Sequence, residues 1–97
     1  MKINKAIRMI MRMQGMTLSN MGSSLKKIDK RTGAEKPLSG NDISARLSYD
    51  NLSFDKAMEM LDVLGYEIIL QEKDKEDSSK KQIVFNQKDD TLIRNLA

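Results

Sequence analysis

The change of apolar spacing at Gly65 constrains the fold of this chain more than any other feature of its sequence. Before Gly65, apolar residues recur every three or four positions, which is the spacing of amphipathic helices. After Gly65 the period changes to two, because Tyr66, Ile68 and Leu70 alternate with Glu67, Ile69 and Gln71, and a second β-prone run follows at 82–85. The 97 residues allow one domain. We therefore expect a mainly α protein, with a helical domain followed by a C-terminal β-hairpin.

Four helices are predicted before Gly65. The third runs from about residue 39 or 41 to about 49 and turns Ile43 and Leu47 inward. The fourth carries the apolar stripe Phe54, Ala57, Met58, Leu61 and Leu64. Residues that favour helix ends delimit the others: Gly15 closes the first helix, Thr17 caps the second (18 to about 27), Ser53 caps the fourth, and Gly65 stops it.

The segment between the second and third helices has no apolar periodicity. It holds Gly33, Pro37 and Gly40, so we interpret 28–40 as an enlarged loop. The loop and its start are basic, because five cations (Lys26, Lys27, Lys30, Arg31, Lys36) face two acids (Asp29, Glu35). The predicted organisation is a helical domain over 1–65 with the loop 28–40, a hairpin over 66–87, and a tail or short helix over 88–97.

Composition argues against catalysis. The chain has no cysteine and no histidine, which removes disulfides, thiolate metal sites, the commonest metal ligand and the usual general base. The adjacent Asp89 and Asp90 lie in the predicted tail without further ligands, and no phosphate-binding glycine loop or nucleophile motif is present. We expect no enzyme activity, no catalytic residues, no metal site and no cofactor.

Charge and hydropathy bear on the kind of partner and the cellular location that we expect for this chain. The net charge is +3, which favours a polyanionic partner if the cations cluster. No apolar run approaches the ~20 residues that cross a bilayer, and Lys5, Arg8 and Arg12 interrupt the N-terminal apolar positions. We expect a cytoplasmic protein that does not enter a membrane.

Three segments resemble a known family. They are MTLSNMGSSL at 16–25, DISARLSYDNLSF at 42–54 and KAMEMLDVLGYEIIL at 56–70. Over residues 3–70 the chain resembles the lambda-repressor-like (Xre-type, phage-repressor) helix-turn-helix family. The resemblance implies binding to operator DNA, usually as a dimer and usually to repress transcription. The chain departs from the family between its second and third helices, where it carries roughly ten residues more than the short turn of the motif.

The motif assigns roles to residues. A helix-turn-helix lays one helix across the phosphate backbone and inserts the next in the major groove, and Gly22 supplies the small residue needed where the two cross. We predict base contacts from Asn41 to adenine, from Asp42 to cytosine and from Ala45 to a thymine methyl. Asn41 and Asp42 are equally explained as N-cap residues of the third helix. The predicted phosphate contacts are Thr17, Ser19, Lys26, Lys27, Lys36, Ser39 and Arg46.

The C-terminal hairpin and the function leave alternatives open. Both predicted strands carry apolar residues on each face, so we expect one face to pack on the helices and the other to meet a second subunit in a homodimer. One alternative function is an antitoxin, which binds both its operator and a toxin. Another is a protein-interaction module that keeps the helix-turn-helix scaffold but binds a protein. The acidic Asp42 on the predicted reading face and the enlarged turn are compatible with this alternative.

Overall fold

The computed structural model describes residues 1–48, 52–73, 81–86 and 93–95, which form a small mixed helix/strand domain. Its four described helices are α1 (Ile3–Gln14), α2 (Leu18–Ser23), α3 (Gly40–Ser48) and α4 (Phe54–Val63). Its five described strands are β1 (Lys26–Ile28), β2 (Glu35–Pro37), β3 (Ile68–Gln71), β4 (Lys81–Phe85) and β5 (Ile93–Asn95).

The predicted capping residues Gly15, Thr17 and Ser53 are confirmed. Gly15 follows α1 with φ of 67°, and the N–H of Met16 reaches back to the carbonyl of Met11 at 2.9 Å. The Thr17 side chain accepts the N–H of Asn20 at 3.0 Å, and the Asn20 side chain accepts the N–H of Thr17 at 3.2 Å. Ser53 accepts the N–H of Lys56 at 3.2 Å and caps α4.

The core lies where the four helices meet. Each helix contributes one large side chain that is fully buried: Ile7, Met21, Ile43 and Met60. Smaller contributions surround these four, among them Leu47, which was predicted to face inward with Ile43 and is 3% exposed. Two of the four central side chains are methionines, so flexible thioether chains fill space that aromatic residues occupy in other small domains.

The buried face of α4 agrees with the predicted stripe at Ala57, Leu61 and Leu64 and differs from it elsewhere, and the buried face of α1 does not follow from apolar spacing alone. In α1 the inward positions are Asn4, Ile7 and Met11, whereas Met13, which fits the helical spacing, is 74% exposed. In α4, Met60 is fully buried, while Phe54 is 48% exposed. Both helices have apolar residues on more than one side, so spacing alone left the orientation of each helix undetermined.

Two amide side chains of α1 hold the ends of other helices. Asn4, 9% exposed, donates from Nδ2 to the carbonyl of Leu47 in the last turn of α3 at 3.3 Å. Gln14 donates from Nε2 to the carbonyl of Leu64, which follows α4, at 2.8 Å. The last carbonyls of a helix have no partner within it, so these bonds satisfy groups that burial would otherwise penalise.

The predicted loop 28–40 is wrong at residue 28 and at 35–37, which belong to the strands of an antiparallel hairpin, and at Gly40, where α3 begins; residues 29–34 form the turn of the hairpin. β1 and β2 pair in the register Lys26↔Pro37, Lys27↔Lys36 and Ile28↔Glu35. The second helix accordingly ends at Ser23 and not near residue 27. All six strand residues are exposed, so backbone bonds alone define the ladder and the strands have no apolar alternation to predict them.

The C-terminal hairpin is present and gains a third strand. β3 and β4 pair antiparallel, with Leu70 opposite Ile83, and β4 pairs with β5. The prediction of a tail or short helix over 88–97 is therefore wrong at 93–95, which is strand; Asp89 and Asp90 lie outside the described residues. Phe85 meets Phe54 edge to face at 5.1 Å between ring centroids, which joins the sheet to the start of α4.

Candidate nucleic-acid interface

Gly22 allows α2 to lie directly against the backbone that leads into α3. A Cβ placed on Gly22 would come within 2.4 Å of the Leu38 carbonyl oxygen and 3.0 Å of the Ser39 oxygen. The Gly22 carbonyl itself accepts the N–H of Leu38 at 3.1 Å. The close contact between the two backbones thus requires the small residue that was predicted at this crossing. The neighbouring residue Gly40, on α3, faces the Ser19 hydroxyl of α2.

Ser39 and Asp42 form a reciprocal cap at the start of α3. The Ser39 Oγ accepts the N–H of Asp42 at 3.1 Å, and the Asp42 Oδ2 accepts the N–H of Ser39 at 2.8 Å. Lys27 of β1 donates to the same Oδ2 at 2.9 Å. The Ser39 N–H and then the Lys27 ammonium lower the pKa of Asp42 to about 2. Three predicted site residues therefore form one cluster, in which Ser39 occupies the cap position that was predicted for Asn41 or Asp42, and Asp42 is its partner three residues later.

The outward face of α3 carries the other predicted base contacts. Asn41, Ala45 and Ser48 are exposed and lie three or four residues apart, so they share one side of the helix. Asp42 is partly buried beside them, and both of its bonds to Ser39 and Lys27 use Oδ2, so Oδ1 takes part in neither. This face is small and polar.

Arg46 joins α3 to α4. Its side chain is 15% exposed, and its guanidinium lies 3.2 Å from the Glu59 carboxylate. The predicted phosphate contact at Arg46 stays a prediction, but the observed geometry adds a structural role to it. Because partly buried pairs are more costly to break than surface pairs, substituting Arg46 would disturb α3 packing together with any phosphate contact.

A cleft of about 620 Å³ lies beside this helix. Asp42, Ala45 and Arg46 of α3 line it, together with Lys27 of the hairpin and with Ser53 and Lys56 at the start of α4. Lys56 was not among the residues predicted from the sequence. Its position in the first turn of α4, after the cap Ser53, is the signal that could have identified it, because helix N-termini attract phosphate groups.

Three other predicted phosphate contacts, Thr17, Lys26 and Lys36, are not among the residues that line this cleft. The Thr17 hydroxyl is engaged with Asn20, and Thr17 lines a second depression with Arg8 and Arg12 of α1. Lys36 lies 3.4 Å from the carboxylate of Asp29, whose pKa is lowered by the Arg31 N–H and by Lys36, and Lys26 lies 3.9 Å from Glu35. The hairpin lysines are exposed beside carboxylates, and such surface pairs hold their partners weakly.

The described part of the chain offers neither a metal cluster nor a membrane span. Among residues 1–48, 52–73, 81–86 and 93–95 no group of three acidic, histidine or cysteine side chains could hold a metal ion. Within the same ranges, none of the helices has the length and apolar character to cross a membrane. Comparison of the chain with protein-family models, curated proteins and solved structures finds no match.

Proposed function

We propose that this chain binds double-stranded DNA in a sequence-specific manner and acts as a transcriptional regulator, most simply a repressor. The observation that carries the proposal is the exposed face of α3, Asn41, Ala45 and Ser48, on a helix that α2 crosses at backbone contact through Gly22. A major groove admits one α-helix, and small polar side chains let that helix approach base edges closely. Asn41 then reads adenine, and Ala45 packs on a thymine methyl.

Positive charge around α3 supports the same proposal. Lys27, Arg46 and Lys56 border the cleft beside the helix, and Thr17 with Arg8 and Arg12 lies at the start of α2. Cations at these points would neutralise phosphates on either side of a groove that α3 occupies. The Asp42 carboxylate orients the start of α3 through Ser39 and leaves Oδ1 to accept from cytosine.

We propose further that the regulator is a homodimer formed through the C-terminal sheet. Among the described strands β3 is at the edge of the sheet, and its Leu70 and the opposing Ile83 are 54% and 46% exposed. An exposed apolar edge strand readily pairs with another strand, and two copies would place two reading helices on one duplex. Sedimentation should give twice the chain mass, and a monomer at high concentration would contradict this part.

A fluorescence-anisotropy titration with mixed-sequence duplex DNA tests the proposal. We expect affinity to fall steeply with salt, because phosphate neutralisation releases counterions. The variant Ala45→Glu places a carboxylate on the reading face, and we expect it to weaken binding by roughly tenfold or more, since like charges that meet in an interface repel strongly. Met13→Glu is the matched control, because it adds the same charge at a 74% exposed position of α1.

The outcomes are distinct. Equal decreases in affinity for Ala45→Glu and Met13→Glu, in variants with unchanged circular dichroism, would show that α3 is not the reading helix. No binding by the unmodified chain at low salt would overturn the DNA proposal, and co-purification with a toxin or another protein would then favour the antitoxin or protein-interaction alternatives. Operator selection from a random duplex library follows a positive result.

A further inference from the structure

The hairpin between α2 and α3 ends in a turn of defined shape. Asp29 organises it: its carbonyl accepts the N–H of Gly33 at 2.7 Å, its N–H donates to the carbonyl of Ala34 at 2.8 Å, and its Oδ1 accepts the N–H of Arg31 at 2.8 Å. Gly33 has φ of +72°, a conformation that side-chain-bearing residues rarely adopt. The side chains at the apex are Lys30 and Arg31.

The cations of the hairpin fall into two groups. Lys26, Lys27 and Lys36, on the strands, each lie within 4.0 Å of a carboxylate. Lys30 and Arg31, at the apex, are exposed, and no carboxylate of the described residues lies within that distance of either. The uncompensated positive charge of the insertion is therefore concentrated at its tip.

The base of the hairpin is fixed against the candidate interface. Lys27 bonds Asp42 in the first turn of α3, and the N–H of Leu38 is shared between the carbonyls of Gly22 and Leu25. From this base the three-residue strands extend about 10 Å towards the apex, at about 3.3 Å for each residue. The apex of the hairpin (the tip, Lys30 and Arg31) therefore lies away from α3, whereas the base of the hairpin is bonded to the start of that helix.

We propose that this tip, Lys30 and Arg31, binds the phosphate backbone of the duplex beyond the bases that α3 faces. The inference rests on the proposed function and extends it with a second contact surface. The Arg31 guanidinium and the Lys30 ammonium are suited to hydrogen bonds with adjacent phosphate groups. Contacts to phosphate do not depend on the identity of the bases. The contact therefore adds affinity and lengthens the bound DNA without adding sequence readout.

The experiment compares two double variants that remove the same charge from the same hairpin. Lys30→Ala/Arg31→Ala removes the tip cations, and Lys26→Ala/Lys36→Ala removes strand cations that lie beside carboxylates. In the salt titration we expect the tip variant to reduce the magnitude of the slope of log affinity against log salt by about 0.9 for each phosphate that the tip no longer neutralises. We also expect it to weaken binding roughly tenfold or more. The strand variant removes two of the phosphate contacts predicted from the sequence, but these cations lie beside carboxylates, so we expect it to reduce the magnitude of the slope by less than the tip variant does.

Each result decides one question. Equal slopes for the two double variants would show that only total charge matters and would overturn the tip contact. An unchanged tip variant, with the unmodified chain still binding DNA in a salt-dependent way, would overturn the inference and leave the proposed function standing. An unmodified chain that does not bind duplex DNA would overturn both. Thermal unfolding of both variants verifies that the exposed substitutions leave the fold intact.

Discussion

The substitution Gly22→Ala is expected to lower the free energy of unfolding by about 2–3 kcal/mol, because overpacking a closely packed contact costs this much. The added methyl would lie 2.4 Å from the Leu38 carbonyl oxygen, which is backbone and cannot rotate away. To make room, α2 must separate from the start of α3 and weaken the bond from the Leu38 N–H to the Gly22 carbonyl. Denaturant unfolding followed by circular dichroism measures the decrease.

Gly40→Ala provides the matched control for this prediction. It adds the same methyl at the same crossing of α2 and α3, but the nearest atom is the Ser19 hydroxyl oxygen at 3.1 Å, the end of a side chain that can turn. Alanine also favours helices over glycine by up to about 1 kcal/mol, so we expect little net change. Equal unfolding midpoints for the two variants would show that α2 does not depend on backbone contact at Gly22.

A second large effect is expected at Met60. Met60 of α4 is fully buried in the core, and truncating it to alanine should cost about 2–5 kcal/mol through reduced burial and the cavity left behind. Domains of this size are stable by about 5–15 kcal/mol, so the variant would retain a fraction of its stability. Thermal unfolding should show the change as a lower midpoint.

Met13→Ala is the comparison for Met60→Ala, since it makes the same chemical change at a 74% exposed position of α1. Exposed substitutions away from special contacts usually change stability by less than about 0.5 kcal/mol. A destabilisation at Met13 comparable to that at Met60 would mean that the outer face of α1 is buried in an assembly. Concentration dependence of the unfolding midpoint distinguishes that case.

The helix ends were predictable because they depend on local chemistry. Thr17 and Ser53 cap the helices that follow them, and Gly15 has the positive φ that ends α1. Capping needs only the side chain and the N–H groups two or three residues away, so a short window of sequence contains the whole cause. The inward pair Ile43 and Leu47 was predictable for a similar reason, since they are the two large apolar residues of α3 and lie on one side of it.

The β1–β2 hairpin and the orientation of α1 were not predictable by the same means. The strands of the hairpin bury nothing, so the period-two pattern that reveals most strands is missing. In α1 the buried polar residue Asn4 finds its acceptor, the Leu47 carbonyl, 43 residues along the chain. A partner so distant leaves no local signature.

The site was predictable in its residues and less so in their partners. Ser39, Asp42 and Lys27 were each singled out for contacts to DNA. The bonds between Ser39 and Asp42 are local, but the bond from Lys27 to Asp42 arises from the hairpin. Similarly, the pairing of Arg46 with Glu59 depends on how α3 and α4 cross. Sequence indicated which side chains gather near α3, whereas only the fold shows which of them are already engaged.

The two hydrogen bonds that the amide side chains of α1 donate have a consequence for folding during synthesis. The acceptors of Asn4 and Gln14 are carbonyls that lie 43 and 50 residues later in the chain. During synthesis, α1 is therefore made before the residues that carry these carbonyls. Closing loops of this length carries an entropy cost that local helix formation avoids. Of the four described helices α1 is made first, and its side-chain bonds to the Leu47 and Leu64 carbonyls form only after those residues have been added to the chain.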